Sequence, residues 1–174
     1  MAYKKHKQYR LPGYDYAGAG EYFLTICTKD RRHYFGHVSD GIMHLSVAGE
    51  IARNILLMIP EQFENTILDE WVVMPNHVHL ILMIDGRNLI NQIPTDHKNK
   101  SGIPNNPMEL PHDTIGKMMR WYKGRVSYDC RKSGMSFAWQ SRFHDHIIRN
   151  QRALENIRQY IRDNPRKWKG DCFF

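Results

Sequence analysis

Cysteine and long apolar runs are both scarce in this chain of 174 residues. The three cysteines, Cys27, Cys130 and Cys172, lie far apart, which argues against a disulfide framework or a cysteine-based zinc site. No apolar stretch approaches the roughly 20 residues of a membrane-spanning helix. The basic start of the chain is followed by no apolar signal region, so we expect no secretion and no membrane partner.

Acidic residues are fewer than basic ones. The chain has 18 acidic and 25 basic residues, which gives a formal net charge of +7 with neutral histidines. This excess favours a polyanionic partner such as nucleic acid, although charge alone identifies no reaction. A chain of this length has room for one well-buried core, and we interpret residues 1–174 as a single domain.

The apolar periodicity predicts four strands and three helices. The strands are expected at residues 22–28, 67–74, 77–84 and 137–148, and the helices at 47–63, from 113 or 114 to about 131, and at 151–163. Residues 36–41 are interpreted as a loop and 42–45 as a short extra strand. This order predicts an α+β fold, a ferredoxin-like βαββαβ sandwich with a four-stranded antiparallel sheet and an added C-terminal helix.

Residues 1–13 and 85–112 lack such a pattern. The first segment is a basic arm with Lys4, Lys5 and Arg10, suited to DNA phosphates, or alternatively a solvated terminus. The second is rich in proline and asparagine and is expected to be a mobile insertion loop.

The most informative motif is a pair of histidines at the start of the third predicted strand. Side chains alternate along a strand, so His77 and His79 share one face and provide two imidazoles for a divalent metal ion. Such a pair is also common as a purely structural feature. A second pair, His144 and His146, competes with the first, but only the first follows a Pro-Asn turn between two apolar runs.

The last predicted helix carries a second motif. Tyr160 and Asn164 lie one turn apart at the edge of its apolar stripe. The segment 157–165 and the strand with His77 and His79 resemble the nucleophile helix and metal-binding strand of the REP-associated tyrosine transposases, within the single-tyrosine HUH transposase family of insertion sequences. Segments 10–16, 22–28 and 139–150 are similar to the same family.

The resemblance implies that Tyr160 is the nucleophile and that Asn164 binds a metal ion together with His77 and His79. Two imidazoles and an amide fit Mg²⁺ or Mn²⁺ better than a structural zinc ion. The implied reaction is DNA transposition, in which single-stranded or hairpin DNA is cleaved and rejoined through a 5′-phosphotyrosine. Tyr128 is the alternative nucleophile, but no amide residue follows it by four positions.

The second predicted helix and the fourth predicted strand supply further candidates for DNA contact, or alternatively a solvated basic face. The candidates are Lys117, Arg120, Lys123, Arg125 and Arg142.

The resemblance implies a monomer or a homodimer in the bacterial cytoplasm, associated with the nucleoid. Two other functions stay open: a non-catalytic module that binds single-stranded DNA, and a metallohydrolase with a four-histidine site made by both pairs.

Overall fold

The computed structural model describes residues 19–85 and 115–169. The basic arm with Lys4, Lys5 and Arg10, and nearly all of the expected insertion at 85–112, lie outside these ranges. The elements in chain order are β1 (Gly20–Cys27), β2 (Gly36–Ser39), β3 (Ile42–Leu45), α1 (Val47–Leu57), α2 (Ile59–Gln62), β4 (Thr66–Met74), β5 (His77–Ile84), α3 (Ile115–Lys132), β6 (His144–Ile148) and α4 (Gln151–Asp163).

The main sheet has the strand order β4-β5-β1-β6, and every neighbouring pair in it is antiparallel. This is the ferredoxin-like arrangement, so the predicted fold class is confirmed. Strand β5 has the predicted bounds and lies between two partners, as its continuous apolar run requires. The two histidines therefore stand on a rigid central strand.

Helices cover both faces of the sheet. On one face, alternate residues such as Leu24, Val78 and Leu80 pack against α1 and α3 in the larger core. On the other face, Ile81 packs against Leu154 and Ile161 of α4 in a smaller core. Because His77 and His79 alternate with Val78 and Leu80, they lie on the α4 face.

Three predicted elements differ from those observed. The helix expected at 47–63 is two helices divided at Met58, because Pro60 lacks the N–H that a continuous helix would need. The expected loop at 36–41 contains β2, which pairs with β3 as a separate hairpin. The strand expected at 137–148 is reduced to β6, and the residues before it make one isolated bridge, from Trp139 to Thr28.

Polar side chains cap the starts of two helices, α1 and α4. The Ser46 hydroxyl accepts a hydrogen bond from the Gly49 N–H at 3.2 Å, and the Asn150 side chain accepts one from the Ala153 N–H at 2.9 Å. A side chain at position 49 would collide with the Phe35 carbonyl, which explains the glycine there. None of the helices in the described ranges is long and apolar enough to cross a membrane.

Candidate active site

The two histidines of β5 lie side by side, with ring centroids 4.4 Å apart. Both are almost completely buried. The His77 Nδ1 atom lies 2.8 Å from Oδ1 of the buried Asn76, an oxygen that can only accept, so Nδ1 carries the hydrogen. The other ring nitrogen of His77, Nε2, is therefore the one with a lone pair. It is buried and makes no hydrogen bond to the described residues.

A neighbouring strand orients His79 in the same way. Thr25 is its partner across the β1–β5 ladder, and the Thr25 hydroxyl lies 2.9 Å from Nδ1 of His79. Burial lowers the pKa of His79 well below its ordinary value, and His77 lowers it further, while a hydrogen bond to the Leu24 backbone acts in the opposite direction. Each imidazole thus has its Nδ1 atom next to a hydrogen-bonding residue, an arrangement that orients the ring so that Nε2 is the atom that could bind a metal ion.

The Tyr160 hydroxyl lies 3.3 Å from Nε2 of His79. The Tyr160 ring is 5.3 Å from the His79 ring and meets the Phe23 ring edge-on at 6.0 Å, so its position is fixed on two sides. The hydroxyl of the predicted nucleophile therefore points at the predicted metal-binding atoms. Tyr128, the alternative, is exposed on α3, which packs on the opposite face of the sheet.

Two ion pairs fix α4 to β4 beside this site. Arg158 contacts Asp69 and Arg162 contacts Glu70, each at 2.7 Å. Between Leu68 and Trp71 the register of β4 shifts, so Asp69 and Glu70 both stand opposite the single residue Ile81. This β-bulge lets two consecutive carboxylates reach one helix.

Asn164 ends α4 one turn after Tyr160 with helical backbone angles, and its N–H donates to the Ile161 carbonyl at 3.2 Å. The following turn brings the Trp168 ring to 5.9 Å from the His77 ring. The end of α4 thus passes beside the histidine pair, on the side of His77. The predicted ligand Asn164 lies in this stretch, between Tyr160 and Trp168.

Comparison with known proteins identifies relatives that cover most of the chain. No family model matches it. An uncharacterized protein of Haemophilus influenzae is 34% identical over 172 residues, which cover 95% of this chain and 91% of that protein. A second H. influenzae protein, named "Putative REP-associated tyrosine transposase", is 27% identical over 154 residues, which cover 88% of this chain and 74% of that protein.

A solved REP-associated tyrosine transposase, bound to a REP hairpin, has a similar fold. Its TM-score is 0.61 at 21% identity, with 91% of this chain and 73% of that chain covered. The present chain has the REP-associated transposase fold. It belongs to one family with the uncharacterized H. influenzae relative. The predicted resemblance is thereby confirmed.

The second histidine pair does not complete a four-histidine metal site. His144 and His146 stand on β6, at the edge of the sheet, on the same face as His79. Among residues 19–85 and 115–169, however, no three His, Cys, Asp or Glu side chains are grouped so that they could hold a metal ion. The four-histidine alternative is therefore wrong for the described part of the chain. The two β6 histidines instead line a cavity beside Tyr160.

The predicted DNA-contact residues of α3 lie on the far face of the sheet from Tyr160. Two are already engaged: Lys123 donates to the Gln140 and Ser141 carbonyls at 2.6 and 3.2 Å, and Arg125 pairs with Asp129 at 3.1 Å. Burial also lowers the pKa of Lys123. DNA that used these two residues would have to displace those bonds. Their role, and that of the exposed Arg142 and the remaining α3 residues Lys117 and Arg120, stays a prediction.

Sequence reasoning missed several residues of the site. Thr25 and Phe23 were assigned only to a strand, and Asn76 only to a turn. Alternation along β1 carries a signal for the first two, but only after the register against β5 is known. Asn76 had a local signal, because a short amide directly before a histidine can reach its ring.

Proposed function

We propose that this protein is a DNA transposase of the single-tyrosine HUH kind. Tyr160 would attack a phosphodiester of single-stranded or hairpin DNA. The observation that supports this most directly is the Tyr160 hydroxyl 3.3 Å from Nε2 of His79, on a helix anchored to its own sheet. The similarity to a REP-associated tyrosine transposase in fold, and to a second one in sequence, supports the same reaction class.

In the proposed step, the Tyr160 oxygen forms a bond to phosphorus and the bond from phosphorus to the 3′-oxygen breaks. The phenol loses its proton and the departing 3′-oxygen gains one, which leaves a 5′-phosphotyrosine and a free 3′-hydroxyl. Energy of the phosphoester is retained in the new bond, so the 3′-hydroxyl of another end can reverse the step. Tyr160 would therefore take part in both cleavage and rejoining.

The donor set fits the expected metal ion. His77 and His79 would bind through Nε2, and Asn164 through its amide oxygen; all three ligands are neutral. Mg²⁺ or Mn²⁺ held there would supply positive charge to polarise the scissile phosphate. The protein's own contribution is to orient both imidazoles, through Asn76 and Thr25.

We also propose that the site is complete within one chain, because α4 packs on the sheet of the chain that carries it. Size-exclusion chromatography with multi-angle light scattering would test this, since full activity at monomer mass is expected. A homodimer that exchanges its last helices would show activity only at dimer mass. Action on bacterial DNA would place the protein at the nucleoid.

Covalent capture tests the reaction. Hairpin DNA with a single-stranded flank and a 3′ label should form an adduct that survives denaturing electrophoresis. Tyr160→Phe removes only the hydroxyl and should abolish the adduct, whereas Tyr128→Phe, at an exposed tyrosine, should retain it. His77→Ala should abolish the adduct and leave DNA binding intact. Binding without any adduct from the native protein would instead support the non-catalytic module.

A further inference from the structure

A cavity of about 700 Å³ opens beside the Tyr160 ring, between α4 and the part of the sheet formed by β1 and β6. We call it the β6 cavity. Its apolar walls include Phe23 and Ile157, and its polar groups include Gln140, His144 and Arg31. Tyr160 and His79 also line the cavity, so a group bound here lies close to the proposed reacting atoms.

We propose that the β6 cavity binds one unpaired nucleotide next to the phosphate that Tyr160 attacks. Its base would lie against Phe23 and Ile157, with its edge hydrogen-bonded by Gln140 and His144, and Arg31 would contact the backbone phosphate. This inference rests on the proposed function and adds a site of base selection to it.

The size and walls of the cavity suit a nucleotide. Small-molecule sites in proteins are concave, mostly apolar, and about 300–1,000 Å³ in volume, with a few polar groups that fix orientation. Bases removed from a stack are held in the same way, between aromatic or apolar side chains. The Phe23 ring is held by its contacts with His79 and Tyr160, with centroid distances of 5.2 and 6.0 Å.

Gln140 is fixed although it lies outside any strand. Its N–H donates to the Cys27 carbonyl at 2.9 Å, and its own carbonyl accepts from Lys123 at 2.6 Å. Both backbone polar groups of Gln140 are therefore hydrogen-bonded, which fixes its position. Its side-chain amide offers one hydrogen-bond donor group and one acceptor. An amide of this kind can read the edge of a nucleobase. Lys123 thus has a structural task in holding this loop.

The conformation around Arg31 is unusual. Asp30 and Arg31 both have positive φ, 53° and 52°, a region that residues other than glycine rarely adopt. Such conformations persist where the surroundings impose them, and they concentrate at functional sites. Here the turn follows β1 directly and brings an arginine to the cavity that holds the proposed nucleophile. A guanidinium is well suited to a phosphate.

Two selections with hairpin DNA carrying a randomised single-stranded flank test this. In the first, adducts of the native protein are isolated and sequenced. In the second, the DNA bound by Tyr160→Phe is sequenced, so no cleavage is needed. We expect a strong base preference at one position beside the break, and the same preference in bound DNA.

Variants assign that preference to the cavity. Gln140→Ala and His144→Ala should each weaken it about tenfold. Gln140→Glu should shift the preference toward cytosine, because a carboxylate accepts a hydrogen bond from the cytosine amino group. Arg31→Ala should weaken binding without changing the preferred base. Matched controls are Gln62→Ala, His37→Ala and Arg32→Ala, at residues that do not line the cavity.

An unchanged preference in the folded Gln140 and His144 variants would overturn the inference, as would a native protein without any preference. Folding is checked by thermal melting, and Gln140→Glu gives a change of preference that an unfolded protein cannot produce. If no adduct forms, the proposed reaction fails. A Gln140-dependent preference in bound DNA would then still establish the nucleotide site.

Discussion

The hydrogen bond between Thr25 and His79 gives the sharpest test of the candidate metal site. Thr25→Val keeps the shape of the side chain and removes the hydroxyl that lies 2.9 Å from Nδ1 of His79. Thr25 and His79 are only 6% and 3% exposed, so water cannot readily replace the lost partner. The variant therefore leaves a buried polar atom, Nδ1 of His79, without its Thr25 partner.

The expected magnitude follows from the remaining contacts of the ring. A buried polar group without a partner costs about 1–3 kcal/mol, and loss of a group that orients a metal ligand lowers metal affinity about 10- to 100-fold. The Leu24 backbone still supports the His79 ring, so we expect values near the lower limits. Thr25→Val should therefore lose about 1 kcal/mol of unfolding free energy and bind Mn²⁺ about tenfold more weakly.

Isothermal titration with Mn²⁺ and urea unfolding measure the two effects separately. Thr66→Val is the matched control, because Thr66 is a buried threonine whose hydroxyl donates to the sulfur of Met118, a residue of the larger core, at 3.7 Å. Equal Mn²⁺ affinity in Thr25→Val and Thr66→Val would refute the role assigned to Thr25. It would also count against Nε2 of His79 as a metal ligand.

Three further outcomes are expected. Nε2 of His79 has one lone pair, for which the Tyr160 hydroxyl and a metal ion would compete. Tyr160→Phe should therefore bind Mn²⁺ at least as tightly as the native protein when affinity is measured by calorimetry. Weaker Mn²⁺ binding would contradict this competition. Asn150→Ala removes the cap of α4 and should lower the urea unfolding free energy by about 1 kcal/mol, whereas no change would mean that the cap is dispensable. Affinity for single-stranded DNA, measured by fluorescence anisotropy, should fall steeply between about 50 and 200 mM salt, because phosphate contacts release counterions. An affinity that does not change with salt would exclude a mainly electrostatic interface.

Local patterns predicted the parts of the fold that local physics determines. The apolar run of β5 and the amphipathic stripe of α4 both follow directly from the sequence pattern. The fourth strand was overestimated because Phe137 and Trp139 are apolar for another reason: their rings pack on each other, 5.0 Å apart, at the border of the larger core. Apolar spacing alone does not distinguish that packing from a strand.

The site was predictable only in part, since its supporting contacts join distant segments. Arg158 and Asp69 are far apart in sequence, and nothing local marks them as partners. The same holds for Thr25 and His79, which meet through strand register. The position of Arg31 depends on a turn in which Asp30 and Arg31 both have positive φ. Neither residue is a glycine, so the sequence gives no sign of this turn.

The bulge in β4 also affects how this chain can change in evolution. On either side of it, Leu68 and Trp71 face the same larger core, although two residues separate them. Deletion of one codon, for Asp69 or Glu70, would give a regular strand in which Leu68 and Trp71 still alternate onto that face. The sheet would keep its register, and α4 would keep one carboxylate for its two arginines. Deletion of a single codon would therefore weaken the attachment of α4 to the sheet while Leu68 and Trp71 keep their places at the larger core.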